Sequence, residues 1–227
     1  MEKTENKVIH NSVELMERID EIGFLPLLNS GIPGYSAEEM VDEDCRYAVL
    51  PDGGWDWPLW KWKGEIITEG GHVYGKFFGG RAGFISRKWW PEFCNFRRKK
   101  YRAPEEGSIE EAILLTLAEH GSLITRELRA LCGFNGPKMR SKFDSYITRL
   151  QMSTRIVTED FVYPRDKHGH QYGWGWSLLT TPERLYGRDA CRYDGDLSPM
   201  QSYFRLCEHL QKLYPEASHM KIRRLMK

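Results

Sequence analysis

Apolar residues recur every three or four positions near the N terminus, which predicts a short amphipathic helix that ends at Gly23. Asn11 stands three residues before Glu14, which is the spacing of a capping box at the start of a helix. Ser36 and Glu39 have the same spacing and predict a second, shorter helix. The apolar positions of the first helix are Val13, Met16, Ile19 and Ile22.

Between residues 66 and 85 the pattern changes from helical to extended. Three short apolar runs, at 66–68, 72–78 and 82–85, are separated by glycine pairs, which favours antiparallel strands joined by tight turns. Ser86 then suits the N-cap of a helix that carries aromatic residues on one side as far as about Arg97. This part of the chain predicts a small tryptophan-rich subdomain made of a β-hairpin and a helix.

Three further helices are predicted after a linker at residues 103–107. Ser108 and Glu111 have capping-box spacing before the first helix, and Thr125 suits the cap of a short second one. The third begins at Pro137, a residue suited to the first helical position. Its inward-facing residues are predicted to be Met139, Phe143, Ile147 and Leu150.

A two-stranded ribbon is predicted behind the third helix. Residues 154–163 and 171–179 have the composition of strands, and residues 164–170 form the loop tip between them. Three helices followed by such a ribbon is the order of a winged helix-turn-helix. This is the strongest architectural signal in the chain.

The predicted fold class is therefore α+β, with a winged helix-turn-helix domain packed against the tryptophan-rich subdomain. The tail is predicted to be helical again from Ser198, with apolar residues spaced to pack on the body. The predicted divisions are residues 1–103 for the N-terminal helical and β-hairpin subdomain, 104–182 for the winged helix and 183–227 for a C-terminal helical extension.

Charge is divided unevenly along the 227 residues. Residues 1–60 contain four Lys/Arg and thirteen Asp/Glu, a net charge of −9. The remaining residues contain 29 Lys/Arg and 19 Asp/Glu, a net charge of +10. A basic body with an acidic N-terminal segment is typical of proteins that bind polyanions, although segregated surface charge alone produces the same asymmetry.

Several classes of protein are disfavoured by composition. The five cysteines are odd in number and form no C-x-x-C motif, which argues against a disulfide framework and a zinc knuckle, so no metal and no cofactor are predicted. The apolar runs are short and the first residues are polar with both charge signs, so neither a membrane span nor a signal peptide is predicted. We expect a soluble, cytoplasmic protein whose oligomeric state the sequence leaves open.

The predicted third helix and loop tip carry the candidate contacts to duplex DNA. In a helix-turn-helix the third helix enters the major groove, and the tip of the wing lies along the backbone or in the minor groove. The candidates on the outward face of the helix are Lys138, Arg140, Lys142 and Arg149, and those at the tip are Arg165, Lys167, His168 and His170. The alternative is a winged helix that binds a protein partner.

A third group of cations lies at the end of the aromatic helix. Arg97, Arg98, Lys99 and Lys100 begin a run of five positive charges in six residues that ends at Arg102. Cations at a helix C-terminus complement the helix dipole, but five exceed what a helix end needs. We therefore interpret the run as a second contact to phosphates.

The stretch 53-GGWDWPLWKWKG-64 contains four of the eight tryptophans. Stacking on a nucleobase contributes roughly 1–3 kcal/mol per base, and burial of an indole in the core contributes a similar amount, so energy alone does not distinguish the two uses. Most of these rings are expected in the core, with one or two of Trp57, Trp60 and Trp62 left to line a cleft and stack on a base.

No standard catalytic motif is present, since the sequence contains no G-x-S-x-G, H-E-x-x-H, P-loop or dinucleotide fingerprint. Asp56, Glu65, Glu69 and His72 lie near the aromatic region, and the first two together with His72 are the candidates for positioning a hydrolytic water. Trp174 and Trp176 are two residues apart on a predicted strand, which places both on one face and predicts packing of the wing against the body.

The segments 57-WPLWKWKG-64 and 73-VYGKFFGGRAGFISRKWWPEFCNFRR-98, followed by the winged-helix order of residues 108–181, resemble short bacterial proteins related to the AlkZ/YcaQ group of winged-helix DNA glycosylases. The resemblance implies a DNA-binding protein and, in the larger enzymes of that group, monofunctional cleavage of the N-glycosidic bond of alkylated or crosslinked bases. Those enzymes have tandem winged helices and position water with a Gln-x-Gln or Gln-x-Asp pair. No such pair occurs in this sequence, so no catalytic residue is carried over.

The leading hypothesis from the sequence is a DNA-binding winged-helix protein connected with DNA repair. The first alternative is a monofunctional DNA glycosylase that excises alkylated bases, with the damaged base flipped out against Trp60 or Trp62. The second is a protein-interaction module whose winged helix does not bind DNA.

Overall fold

The computed structural model describes residues 8–49, 55–136, 138–169 and 173–227. The helices are α1 (Ser12–Ile22), α2 (Ala37–Met40), α3 (Glu43–Arg46), α4 (Pro58–Thr68), α5 (Trp90–Lys100), α6 (Ile109–His120), α7 (Thr125–Leu131), α8 (Met139–Met152), α9 (Pro182–Tyr186), α10 (Pro199–Leu213) and α11 (His219–Met226). The strands are β1 (Phe24–Pro26), β2 (Ala48–Val49), β3 (Trp55–Asp56), β4 (Val73–Phe78), β5 (Arg81–Ile85), β6 (Leu123–Ile124), β7 (Val157–Val162) and β8 (Trp176–Thr180). This mixture of helices and antiparallel strands confirms the α+β class.

One antiparallel sheet runs through both halves of the chain, in the order β1-β5-β4-β7-β8-β6. The β4 and β5 hairpin is as predicted, and Tyr74 of β4 pairs with Thr158 of β7, so the hairpin is joined edge to edge with the later β7 and β8 ribbon. Short β6 closes the far edge, with Leu123 opposite Leu179. The division at residues 103 and 182 stays a prediction, and the sheet continues across its first boundary.

Two hydrophobic clusters lie beside this sheet. The larger combines the N-terminal residues with α10 and α11, so the C-terminal helices complete a core that begins with Ile9 and Leu15. The smaller lies among α6, α7 and α8 and contains Ile113, Leu128 and Phe143. Burial of apolar side chains at roughly 25 cal/mol per Å² is the main stabilising contribution in both.

The residues after the tryptophans form a helix where strands were predicted. Ile66 and Ile67 are buried on one side of α4, and Leu59 lies about two turns earlier on the same side. The apolar run 66–68 is therefore the end of an amphipathic helix and not a strand. The prediction failed because the interior Gly64 and the crowded indoles obscure the helical period. The aromatic helix also begins later than predicted, since Ser86 only starts a turn and α5 begins at Trp90.

Between the linker and α9 the chain runs in the order α6, β6, α7, α8, β7, β8. Ser108 caps α6 as predicted, whereas Thr125 is the first residue of α7 and donates its hydroxyl to the carbonyl oxygen of Ser177. Met139 is 42% exposed and does not face inward, because the first turn of α8 projects beyond the smaller cluster. Pro137 lies outside the described residues.

Side-chain caps confirm the other predicted helix starts. Asn11 accepts from the backbone of Glu14, Ser36 accepts from that of Glu39, and Ser198 forms a complete capping box at α10. All five cysteines are free thiols. In the described parts of the chain, no helix combines the length and the apolar character that crossing a membrane requires.

Candidate functional site

The N-terminal half of α4 presents a group of stacked indoles. Pro58 starts the helix at its first position, which places Trp57 and Trp60 one turn apart with ring centroids 5.1 Å apart and planes 29° apart. Trp174, just before β8, meets both rings edge-on, and the indole N–H of Trp60 donates to its carbonyl oxygen over 3.1 Å. Residues 114 positions apart are thereby joined.

These rings form one wall of an open cavity of about 690 Å³ between α4 and the β7 and β8 ribbon, the aromatic cleft. Its aromatic side chains are Trp57, Trp60, Tyr163 and Trp174. Trp57 and Trp60 are both half-buried and line the cleft. Trp62 is also half-buried, but it packs against the larger cluster and is not among the residues that line the cleft. The volume falls within the range of small-molecule sites, about 300–1,000 Å³.

Three carboxylates line the same cleft. Asp56 is held by Lys61, 2.7 Å away, and also accepts from the backbone of Trp57. Asp160 on β7 accepts from the backbone of Phe161, 2.7 Å away. Glu65 is exposed. A flat aromatic wall beside carboxylates favours ligands that are planar and positively charged.

Gly64 keeps the cleft open on the α4 side. A glycine inside a helix costs about 0.5–1 kcal/mol relative to alanine, so its presence in the middle turn of α4 calls for a reason. A side chain here would point toward Asp160, whose Oδ1 would lie 3.6 Å from an added Cβ. The missing side chain therefore leaves room inside the cleft.

Lys63 lies fully buried behind the aromatic wall and was not singled out by the sequence. Its ammonium is 3.8 Å from the centroid of Trp60 and 4.0 Å from that of Phe161. It donates to the carbonyl oxygen of Trp60 and to the hydroxyl of Tyr163. Burial lowers the pKa of Lys63 to about 7, because removal from water disfavours the charged form.

Tyr163 connects this buried cation with the cleft. Partial burial raises the pKa of its phenol, and the negative charge of Asp160 raises it further. The phenol therefore stays protonated at neutral pH and acts as both a donor and an acceptor. The three-residue spacing of Trp60 and Lys63 could have identified Lys63, because residues at this spacing are neighbours on a helix. It carries no information about Tyr163, which lies 100 positions from Lys63.

His72 does not belong to the cleft. It is 3% exposed, with one ring nitrogen 3.0 Å from the Asp20 carboxylate and the other 3.3 Å from the carbonyl oxygen of Ile66. These contacts hold the end of α4 against α1, and the imidazole itself is buried and lines no part of the cleft. Of the three predicted water-positioning candidates, the structure brings Asp56 and Glu65 together in the cleft.

The four cations predicted to share the outward face of α8 are divided among different surroundings. Lys138 and Lys142 are exposed, and Arg149 forms an ion pair with Glu110 of α6. Arg140 lies on another side of the helix and lines a cavity together with Ile147. Arg140 is exposed like Lys138 and Lys142, but it is two residues from each of them and so lies on the opposite side of the helix from both.

The basic run at the end of α5 is not a continuous surface. Arg97 is fully buried and donates to the carbonyl oxygens of Phe77 and Met226, so it cannot reach a phosphate. Arg98 pairs with Glu183, and the Lys100 ammonium donates to the carbonyl oxygen of Lys227. Lys99 and Lys100 are both exposed, and Lys99 forms neither the carboxylate pair of Arg98 nor the carbonyl contact of Lys100.

At the predicted wing tip, Arg165 donates to the carbonyl oxygen of Gly169 and stiffens the turn. Lys167 and His168 are exposed, and His170 lies outside the described residues. Trp174 and Trp176 do not share one face of a strand, because β8 starts at Trp176 and Trp174 belongs to the preceding bend. Trp174 nevertheless packs the ribbon against α4, and Trp176 lies under the guanidinium of Arg126.

Among the described residues, no cluster of His, Cys, Asp or Glu has the composition to hold a metal ion. A comparison with protein families matches the AlkZ-related family over residues 9–227, a range that includes the aromatic cleft and every element of the fold. Comparisons with curated proteins and with solved structures returned no match. The family match confirms the resemblance predicted from residues 57–64 and 73–98, and the chain belongs to the AlkZ-related family.

Proposed function

We propose that this protein binds duplex DNA through a winged helix and acts in DNA repair. The observation that carries the proposal is the order α6, β6, α7, α8, β7, β8, in which short β6 pairs with the returning strand of the ribbon. This order supports our assignment of a winged helix, and we assign α8 to the helix that enters the major groove. Membership of the AlkZ-related family supports the link with repair.

The exposed lysine, arginine and histidine side chains of this unit are the proposed backbone contacts. Lys138 and Lys142 lie at the start of α8, and Arg165, Lys167 and His168 lie at the tip of the ribbon. Each phosphate that such a cation neutralises releases condensed counterions, so affinity falls as salt rises. Arg97 is excluded from the interface by its burial, and Arg98 and Arg149 are engaged by carboxylates.

Fluorescence anisotropy tests the proposal with labelled single-stranded, duplex and abasic-analogue DNA over a salt series. We expect duplex binding that weakens steeply with salt, and a loss of about tenfold or more for the double variant Lys138→Glu and Lys142→Glu. Lys212→Glu, an exposed site on α10, is the control for net charge. Unchanged affinity in the double variant would contradict the proposal, and an absence of binding at low salt would favour a protein-interaction module.

A second candidate function, hydrolytic release of a damaged base, is supported by the aromatic cleft. Enzymes that act on a base extrude it from the duplex into a pocket where aromatic side chains stack on it. N-alkylated purines carry positive charge, which suits the indoles and the carboxylates of Asp56, Glu65 and Asp160. In place of a glutamine pair, the Glu65 or Asp160 carboxylate orients the attacking water.

Release of free base from alkylated duplex, followed by cleavage of the abasic product, tests this activity. The variants are Glu65→Gln and Asp160→Asn. We expect the one that removes the water-orienting carboxylate to lower the rate by about 100-fold or more. Glu69→Gln is a matched control, because Glu69 is exposed just beyond the end of α4 and lines no part of the cleft. Equal rates in all three variants would rule out this role for both carboxylates.

A further inference from the structure

A second cavity, of about 420 Å³, lies where α7, α8 and β8 meet β4. Its lining is basic, with Lys76 from β4, Arg126 and Arg129 from α7, and Arg140 from α8. Asp144 is the acidic residue in the lining. We call it the basic cavity.

The cations of the basic cavity differ from Arg98 and Arg149 in their charge partners. Over residues 8–49, 55–136, 138–169 and 173–227, none of the four forms an ion pair with a carboxylate, whereas Arg98 and Arg149 elsewhere do. Four positive charges that converge from three elements repel one another. An anion in the cavity would relieve that repulsion.

Two of the cations are held in positions that suit a phosphate. The guanidinium of Arg126 lies 4.9 Å from the centroid of the Trp176 ring. A guanidinium that stacks by its face keeps its in-plane N–H groups free, and these match the oxygens of a phosphate. The Lys76 ammonium donates to the hydroxyl of Thr148 over 3.2 Å, which fixes the side chain and leaves further protons to donate.

The basic cavity adjoins the aromatic cleft along the chain. Trp174 lines the cleft, whereas Gly175 and Trp176 line the basic cavity. Consecutive Cα atoms are about 3.8 Å apart, so the two cavities are neighbours across one short segment. A strand with its base in the cleft would carry its adjoining phosphates toward the basic cavity.

We propose that the basic cavity binds the phosphate of a nucleotide, either in a DNA strand or free. The DNA source rests on the proposed function, whereas binding of a free nucleotide does not. The indole of Trp176 holds the guanidinium of Arg126 against the phosphate. Arg129 and Arg140 neutralise the charge of the phosphate.

Calorimetry with the full chain tests this site by titrating deoxyadenosine monophosphate and, separately, the uncharged nucleoside deoxyadenosine. Anisotropy with labelled single-stranded DNA tests the other source. The variants are Arg126→Gln with Arg140→Gln for the cavity, and Lys212→Gln as an exposed control on α10. If the double variant does not fold, as judged by its thermal melt, Arg129→Gln replaces it.

Whichever ligand binds, we expect the cavity variant to weaken it by about tenfold or more, the control by less than about twofold, and the nucleoside not to bind. The ligand that responds identifies the source of the phosphate. The inference is overturned if neither ligand is weakened selectively. If neither ligand is weakened selectively by the cavity variant while duplex binding still responds to Lys142→Glu, this inference alone is rejected. Selective weakening of the mononucleotide without any DNA binding would reject the proposed function alone.

Discussion

The ammonium of Lys63 lies 3.8 Å from the centroid of the Trp60 ring and donates to the backbone carbonyl oxygen of the same residue over 2.9 Å. One turn of α4 thus places a fully buried cation directly behind the wall of the aromatic cleft. Two effects oppose each other here. Attraction to the ring favours the charged form, and loss of water disfavours it.

The lowered pKa of Lys63 predicts a dependence of stability on pH. In the unfolded chain the amine stays protonated up to about pH 10, whereas in the folded protein burial lowers its pKa to about 7. Between these values the unfolded state binds more protons, so stability rises with pH. Below pH 7 both states are protonated and the full cost of burying the charge remains.

Lys63→Met removes this titration and keeps an apolar stem in place. We expect the free energy of unfolding of the wild type, relative to the variant, to rise with pH above about 7 by up to about 1.4 kcal/mol per pH unit. Urea denaturation from about pH 6 to about pH 10 measures it. A constant difference across that range would mean that cation–π attraction cancels the effect of burial.

The hydrogen bond from Trp60 to the carbonyl oxygen of Trp174 predicts how the ribbon is held against α4. Trp60→Phe keeps a ring but removes the donor, at a cost of about 0.5–1.5 kcal/mol. We expect faster amide exchange just before β8, measured by hydrogen–deuterium exchange. Trp62→Phe is the matched control, since Trp62 packs against the larger cluster and is not among the residues that line the cleft. Equal exchange in both variants would contradict the role of the bond.

Burial of Arg97 predicts a structural role that its position in the sequence conceals. Arg97→Met removes the donor that Arg97 provides to the carbonyl oxygens of Phe77 and Met226. Hydrogen bonds to a charged group contribute about 1.5–3 kcal/mol each, so we expect a loss of about 3 kcal/mol or more. Chemical denaturation measures it, with exposed Lys99→Met as the control on the same helix.

The two variants should separate stability from binding. Lys99→Met is expected to change the free energy of unfolding by less than about 0.5 kcal/mol. If Lys99 contacts a phosphate, its removal lowers the magnitude of the slope of the logarithm of DNA affinity against the logarithm of salt concentration by about 1. A stable Arg97→Met protein would show that the buried guanidinium does not anchor α11.

The open turn at Gly64 allows the cleft to be blocked without removing a functional group. Gly64→Phe should fill the space in front of Asp160 and lower binding of an abasic-analogue or alkylated duplex by about tenfold or more, measured by anisotropy. Gly64→Ala adds one methyl group in ordinary contact with Asp160 and should stabilise α4 by about 0.5–1 kcal/mol. Full binding by a folded Gly64→Phe protein would show that ligands do not enter the cleft.

Sequence patterns predicted the fold best where neighbours in the chain decide the structure. The hairpin of β4 and β5 followed from its glycine pairs, and the three helices and the ribbon after residue 107 followed from caps and apolar spacing. The candidate site was harder to predict. Trp57, Trp60, Asp56 and Glu65 were chosen from the sequence and do line one cleft, but Asp160, Tyr163 and Trp174, which complete it, belong to the other half of the chain.

The sequence by itself determined the helix starts at Asn11, Ser108 and Ser198, because a cap is a hydrogen bond between residues three apart. Only the tertiary structure decided which charged residues are buried. Arg97 and Lys99 are two positions apart in one basic run, yet the first lies in the core and the second in water. The difference arises because α11 and the β4 hairpin cover one side of α5, and that contact joins residues more than 120 positions apart.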